Sequence, residues 1–236
     1  MIEEIHNHPR NKNISFNKEK HTYTYQDETS FSGITSFIGE FCKPFDRMGI
    51  ARGYAYKHNM TVKRVLALWD SDREYGNAVH DMIEDYINEG IEPEIPHVEL
   101  ENFKLFLETY NLEPVIGEWV VYAEEYNQAS AVDILCLNEA GEYVVVDLKT
   151  MKKPIRFTPY DEGRRMSYPV NNLLDTKYNN YCLQVNLYWK WLKEKYNLTL
   201  AKESYILHIH KNNMTVLDAI DMQRELNKMY KFKYDE

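Results

Sequence analysis

The 236 residues hold only three cysteines, Cys42, Cys136 and Cys182. Their odd number and wide scatter, without a CxxC pair, exclude a disulfide framework and a structural zinc site, so reduced and mostly buried thiols are expected. Also missing is any apolar run long enough to span a bilayer, and the polar start MIEEIHNHPR does not read as a signal peptide. These absences predict a soluble, intracellular chain with no membrane contact. Neither repeats nor low-complexity tracts are present, and the length suits one domain, or one with elaborations, able to bury a core.

Positive charge is short overall, with a formal net charge of −9. That balance argues against nonspecific polyanion binding by the whole surface, yet the charges are unevenly placed. From Glu84 to Glu142 the only lysine or arginine is Lys104. The next stretch gathers Lys149, Lys152, Lys153, Arg156, Arg164 and Arg165 against Asp161 and Glu162. A local basic track of this kind is able to hold a phosphate backbone even on an acidic protein.

What the sequence does contain is a charged β-hairpin in an apolar setting, VDILCLNEAGEYVVVDLKT, Val132 to Thr150. Both arms are apolar on both faces, as in interior strands of a covered sheet, and the turn-prone NEAGE joins them. If Leu137 and Tyr143 flank the turn, Asp133 falls opposite Asp147, and Lys149 points to the same face. Opposed carboxylates repel, and burying one unpaired costs several kcal/mol, so a positive group is expected between them. Two readings stand. Lys149 neutralises both aspartates, or the carboxylates hold a divalent cation, Mg²⁺ or Mn²⁺, while Lys149 orients or deprotonates a water.

Along the chain, ISFNKEKHTYTY predicts a short hairpin and FSGITSFIGEF a helix. A helical region follows, over FDRMGIARGYAYKHN and TVKRVLALWDSDREYGNAVHDMIEDYINEG, with breaks near Asn59 and Ser71, and then the helix HVELENFKLFLETYN. Strands are predicted at EWVVYAEEYN, in both hairpin arms, and at ESYILHIHK and NMTVLDAI, with helices at NNYCLQVNLYWKWLKEKYN and MQRELNKMYKF. The expected fold is α/β (α+β), a small mixed central sheet flanked by helices. Residues 1–70 read as an N-terminal hairpin and helical region and residues 71–236 as the core. Its connection at about 151–177 carries three prolines and is long enough to suggest function.

Further residues allow both bland and chemical readings. His80 and Glu84 are four apart on a helix, as in a solvated pair or a ligand face. Gln184 and Tyr188 share that spacing, as in a core helix with one buried amide. Glu125 reads as an edge-strand charge or as a neighbour of Asp133. His208 and His210 alternate on a late strand and read as surface histidines.

The ordered series GNAVHDMIEDY, ASAVDIL, VVVDLKT and YCLQVNLY resembles the PD-(D/E)XK nuclease superfamily, in particular its RecB-like and phage exonuclease branch. The likeness covers roughly Gly76 to Tyr188, and FSGITSFIGEFCKPFD looks like the segment preceding the core in phage members. It implies a restriction-endonuclease-like core and a metal-dependent deoxyribonuclease, in exonuclease form, acting in recombination, repair or phage genome metabolism. Asp133, Asp147 and Lys149 match the catalytic signature, and His80, Asp133, Asp147 and the Leu148 carbonyl match the ligands of one or two Mg²⁺ or Mn²⁺ ions. Gln184 and Tyr188 match the motif that contacts DNA or supports the site, with Glu84 and Glu125 at its margin. Lys152, Lys153, Arg156, Arg164 and Arg165 are the expected DNA contacts, and a recombination or replication protein is a further expected partner. Location would be cytoplasmic, in the host if the source is viral. Ser130 stands where the family usually has glycine. No cysteine beyond Cys182 completes the set that binds an iron–sulfur cluster in some relatives, so no cluster is expected. The rival reading is a nuclease-like DNA-binding or assembly module acting through a partner, against which the intact Asp133, Asp147 and Lys149 argue.

Overall fold

The computed structural model describes residues 2–18, 20–159 and 162–235. Helices α1 (Ile2–His6), α2 (Ile34–Gly39), α3 (Arg47–Lys57), α4 (Val62–Glu89) and α5 (Val98–Tyr110) precede most of the sheet, and α6 (Lys177–Lys195) and α7 (Gln223–Tyr234) follow it. Strands are β1 (Ile14–Asn17), β2 (Thr22–Tyr25), β3 (Thr29–Gly33), β4 (Glu113–Ala123), β5 (Gln128–Leu137), β6 (Tyr143–Lys149), β7 (Tyr205–His210) and β8 (Asn213–Asp218). They form one mixed sheet in the order β1-β2-β3-β5-β6-β7-β8, with β4 also paired to β5. This is the expected mixed sheet flanked by helices. No helix among the described residues is long and apolar enough to cross a membrane.

Side-chain alternation divides the interior. Tyr143 and Val145 of β6 pack with Cys182, Leu183, Leu187 and Trp191 of α6. Val144, Val146 and Leu148 pack instead with Val79 and Ile83 of α4 and with Phe103 and Phe106 of α5. Both faces of β6 are therefore covered, which explains why its sequence is a continuous apolar run.

Two sequence expectations change. The break predicted near Ser71 is absent: α4 runs unbroken from its Thr61 cap, whose side chain accepts the Arg64 N–H, to Gly90 at φ +68°. Ser71, Asp72 and Arg73 are ordinary helix residues on an exposed or half-buried surface, and the low propensity of Ser71 and Asp72 is outweighed by burial of Val65 on one side and of Gly76, Val79 and Ile83 on the other. The expected division at residues 70/71 thus falls inside a helix. The N-terminal hairpin likewise gains a third strand, β3, which pairs parallel to β5 through Ser32–Gln128 and Gly33–Ala129.

The hairpin register is the expected one, with Leu137 opposite Tyr143 and Ile134 opposite Val146. Beyond Ile134 the two strands part. β6 continues along β7, where Asp147 faces Ile206 and Lys149 faces His208, while β5 continues along β4. The fork opens at Asp133, where a side chain takes the place of the β5–β6 ladder. The Leu148 N–H donates to Asp133 Oδ2 at 2.8 Å.

Candidate metal centre

Four elements converge on that fork. From β5 comes Asp133 and from β6 come Asp147 and Lys149. Lys149 Nζ donates to Asp147 Oδ1 at 2.7 Å and reaches Asp133 Oδ2 at 3.4 Å, so the lysine bridges the two aspartates as the first reading required. It does not satisfy them fully. Asp147 is completely buried, and its Oδ2 has no hydrogen-bond partner among the described residues. A carboxylate oxygen left so is costly unless a cation meets it.

Helix α4 supplies His80, whose Nδ1 lies 3.1 Å from Glu118 Oε1 on β4. His80, Glu118 and Asp133 each offer a ligand atom, all within 4.8 Å of one another. Glu118 is thereby added to the expected residues: it completes the tight triad, and Asp147 stands beside it, joined through Lys149. Leu148, expected as a ligand through its carbonyl, enters the site through its amide bond to Asp133.

Glu118 was not singled out in the sequence, where it reads as the first residue of a strand. The strand in fact begins five residues earlier, at Glu113. Gly117 pairs with Ile134 and Trp119 with Val132, which sets Glu118 across from Asp133. Its backbone lies in the left-handed region at φ +51°, an arrangement that costs a non-glycine residue about 1–3 kcal/mol and is found where a side chain must be aimed. The available signal was an acid inside the apolar run PVIGEWVVYA.

Electrostatics follow from burial. Asp147 is pushed up to about 7, first by burial and then by Asp133, against the pull of Lys149. Burial likewise opposes the charge on Lys149, but Asp133 and Asp147 outweigh it and hold the ammonium protonated well above the usual lysine range. For His80 burial acts downward, and the Glu118 hydrogen bond and the Asp133 charge turn the net shift upward. Glu118 is raised by burial and by Asp133, in spite of His80.

The margin of the site is built by α6 and β7. Gln184 Nε2 donates to Tyr188 Oη at 2.9 Å, and Tyr188 Oη lies 3.1 Å from Ser130 Oγ, so Ser130 is a partner for the tyrosine. The Tyr181 ring sits 5.0 Å from Lys149 Nζ, a cation–π contact on the open side of the lysine. Contrary to expectation, His208 and His210 are buried rather than at the surface. They bond the carbonyls of Met151 at 2.6 Å and Thr150 at 3.1 Å, which pins the backbone leaving Lys149.

Other expected residues lie elsewhere. Glu84 pairs with Lys18 at 2.9 Å, sharing that lysine with Asp81. Glu125 pairs with Lys195 and takes no part in the centre, because a short helical turn after β4 carries it away. Arg164 is held by Asp175 at 2.7 Å and by the Lys43 carbonyl at 2.9 Å, so it fastens the connection rather than facing solvent. Arg165 is exposed but bonds the Asn172 carbonyl at 2.9 Å. Lys152 pairs with Asp72 at 2.5 Å, and Lys153 and Arg156 are exposed.

The donor set fits a divalent cation: two carboxylates and an imidazole converge, and the orphaned Asp147 oxygen beside them marks where positive charge is wanted. No family model matches this chain. No curated protein matches it either. Among solved structures, the crystal structure of SSO0001 is similar over 84% of this chain and 71% of its own, at 10% identity and a TM-score of 0.39.

Proposed function

We propose that the protein is a metal-dependent DNA nuclease of the PD-(D/E)XK type, hydrolysing phosphodiester bonds as an exonuclease in recombination, repair or phage genome metabolism. The observation that carries this reading is the buried, unpartnered Asp147 Oδ2 beside the His80–Glu118–Asp133 triad and Lys149. His80, Glu118, Asp133 and Asp147 are the residues that would hold the cation. A divalent ion bound there supplies Lewis acidity toward a phosphoryl oxygen and makes hydroxide available near neutral pH.

The chain's own groups do the rest. Lys149 is kept protonated by two carboxylates, so it acts as a fixed cation that positions the attacking water and meets charge developing on the phosphate, not as the initial base. Tyr181 limits the lysine's travel on one side, and the Gln184–Tyr188–Ser130 bonds lock α6 against β5 at the fork. His208 and His210 fix the turn after Lys149, so the ammonium keeps its place when Asp147 turns toward a cation.

Calorimetric titration with Mn²⁺ tests the site without relying on activity. The wild type is expected to bind, and Asp133→Ala and Glu118→Gln to bind at least tenfold more weakly. Undiminished binding by both variants would remove the metal centre from this account.

A further inference from the structure

Residues 43–69 form a second basic segment, apart from the connection after Lys149. They carry six basic residues, Lys43, Arg47, Arg52, Lys57, Lys63 and Arg64, against Asp46 alone, in a protein of formal charge −9. Asp46 is already engaged as the cap of α3, accepting the Gly49 N–H at 2.8 Å. Arg47 pairs with Asp70, but Arg52, Lys57, Lys63 and Arg64 are exposed and make no ion pair among the described residues.

Large apolar side chains stand in solvent between these cations. Phe45 is 68% exposed and Tyr56 93%, with Met48, Tyr54 and Leu68 partly open. Met48, Arg52 and Tyr56 recur every fourth residue and so share one face of α3. The neighbouring face holds the arm together: Ala51 and Ala55 pack on Val65 of α4 in a small core of their own.

The arm leads to the metal centre. Helix α4 continues past Asp72, which pairs with Lys152, and past Gly76, where a Cβ would lie 2.7 Å from Thr150 Oγ1, to His80. From Arg64 to His80 is about 24 Å at 1.5 Å per residue.

We propose that this arm docks an unpaired DNA strand running toward the metal centre, with Arg52, Lys57, Lys63 and Arg64 on phosphates and Phe45 and Tyr56 stacked on bases. Stacking on exposed rings needs free base faces, which a duplex interior does not present, so the arm selects single strands or frayed ends. The inference rests on the nuclease reading only for the strand's destination.

The test is equilibrium binding of one oligonucleotide, single-stranded and as a duplex, in EDTA so that no cleavage is needed. Wild type is expected to favour the single strand. Tyr56→Ala and Phe45→Ala should each weaken it roughly five- to a hundredfold while changing duplex binding little. Replacing Arg52, Lys57, Lys63 and Arg64 together by glutamine should flatten the single-strand salt slope by roughly two to three, at about 0.7 per lost contact. Circular dichroism and Mn²⁺ titration of each variant confirm that fold and centre are intact. Unchanged affinity and slope overturn the proposal. Equal losses on both DNA forms overturn its single-strand selectivity, and loss of self-association in place of DNA binding assigns the face to a second copy of this chain. A protein that binds single strands through the arm but never cuts DNA upholds the arm and removes the nuclease reading instead.

Discussion

At Asp147 burial and charge are set against each other, and the metal-free protein bears the cost. Its carboxyl titrates at about 7 when folded, against 3.8 ordinarily. Between those values the folded state holds a proton that the unfolded state lacks, so stability falls as pH rises through that window. At 1.36 kcal/mol per pH unit the full loss is on the order of 4 kcal/mol. Urea denaturation in EDTA at pH 4.5 and 7.5 is expected to show a steeper decline in wild type than in Asp147→Asn, where only the raised Glu118 and His80 remain. Parallel pH profiles for the two proteins would contradict the assignment. For Lys149 the two sequence readings part over rescue by metal. A lysine that only neutralised Asp133 and Asp147 would be replaceable by added Mg²⁺. A lysine that meets transition-state charge would not, and a contact of that kind is worth about 2.7–4 kcal/mol, on the order of a hundred- to thousandfold in rate. Single-turnover cleavage by Lys149→Ala is expected to stay slow across a Mg²⁺ series in which its DNA binding is unimpaired.

Helix α4 packs on β4 and carries His80 to the centre, beside Glu118. Its approach to β4 depends on Gly117, where an added Cβ would lie 3.2 Å from the Glu84 backbone. Asn88 closes the same contact by bonding both the Gly117 N–H, at 2.9 Å, and its carbonyl, at 3.2 Å. Gly117→Ala is expected to push α4 outward and cost about 1–3 kcal/mol, as overpacking does. It should also weaken Mn²⁺ binding, since His80 rides on α4. Full Mn²⁺ affinity in a destabilised Gly117→Ala protein would separate helix position from the centre. At this scale much was legible in the sequence. The hairpin register followed from the turn and the apolar runs, and β7, β8 and α7 from their periodicity. The continuity of α4 through Ser71 was not, because tertiary packing on both sides overrides local propensity. Nor was the burial of His208 and His210, whose partners are backbone carbonyls 57 and 60 residues away.

Across the whole molecule, an acidic chain carries a basic arm at one end of α4 and a carboxylate-rich centre on its other half. Asp133, Asp147 and Lys149 stood out in the sequence as charges within apolar neighbours, and His80 only through the resemblance of its helix. Glu118 did not, because its relevance depends on the β4–β5 register and on a backbone turned to φ +51°, both properties of the assembled sheet. Arg164 was misread for the converse reason: its partner, Asp175, lies within the same long connection and claims it for structure. The central claim is that this arrangement cuts DNA with a bound divalent ion. It is tested most directly by incubating the purified chain with end-labelled DNA in Mg²⁺, in Mn²⁺ and in EDTA, beside Asp147→Ala purified the same way. The account predicts degradation by wild type in either metal, none in EDTA and none by the variant. DNA left intact in both metals, or degraded equally in EDTA or by Asp147→Ala, would contradict it.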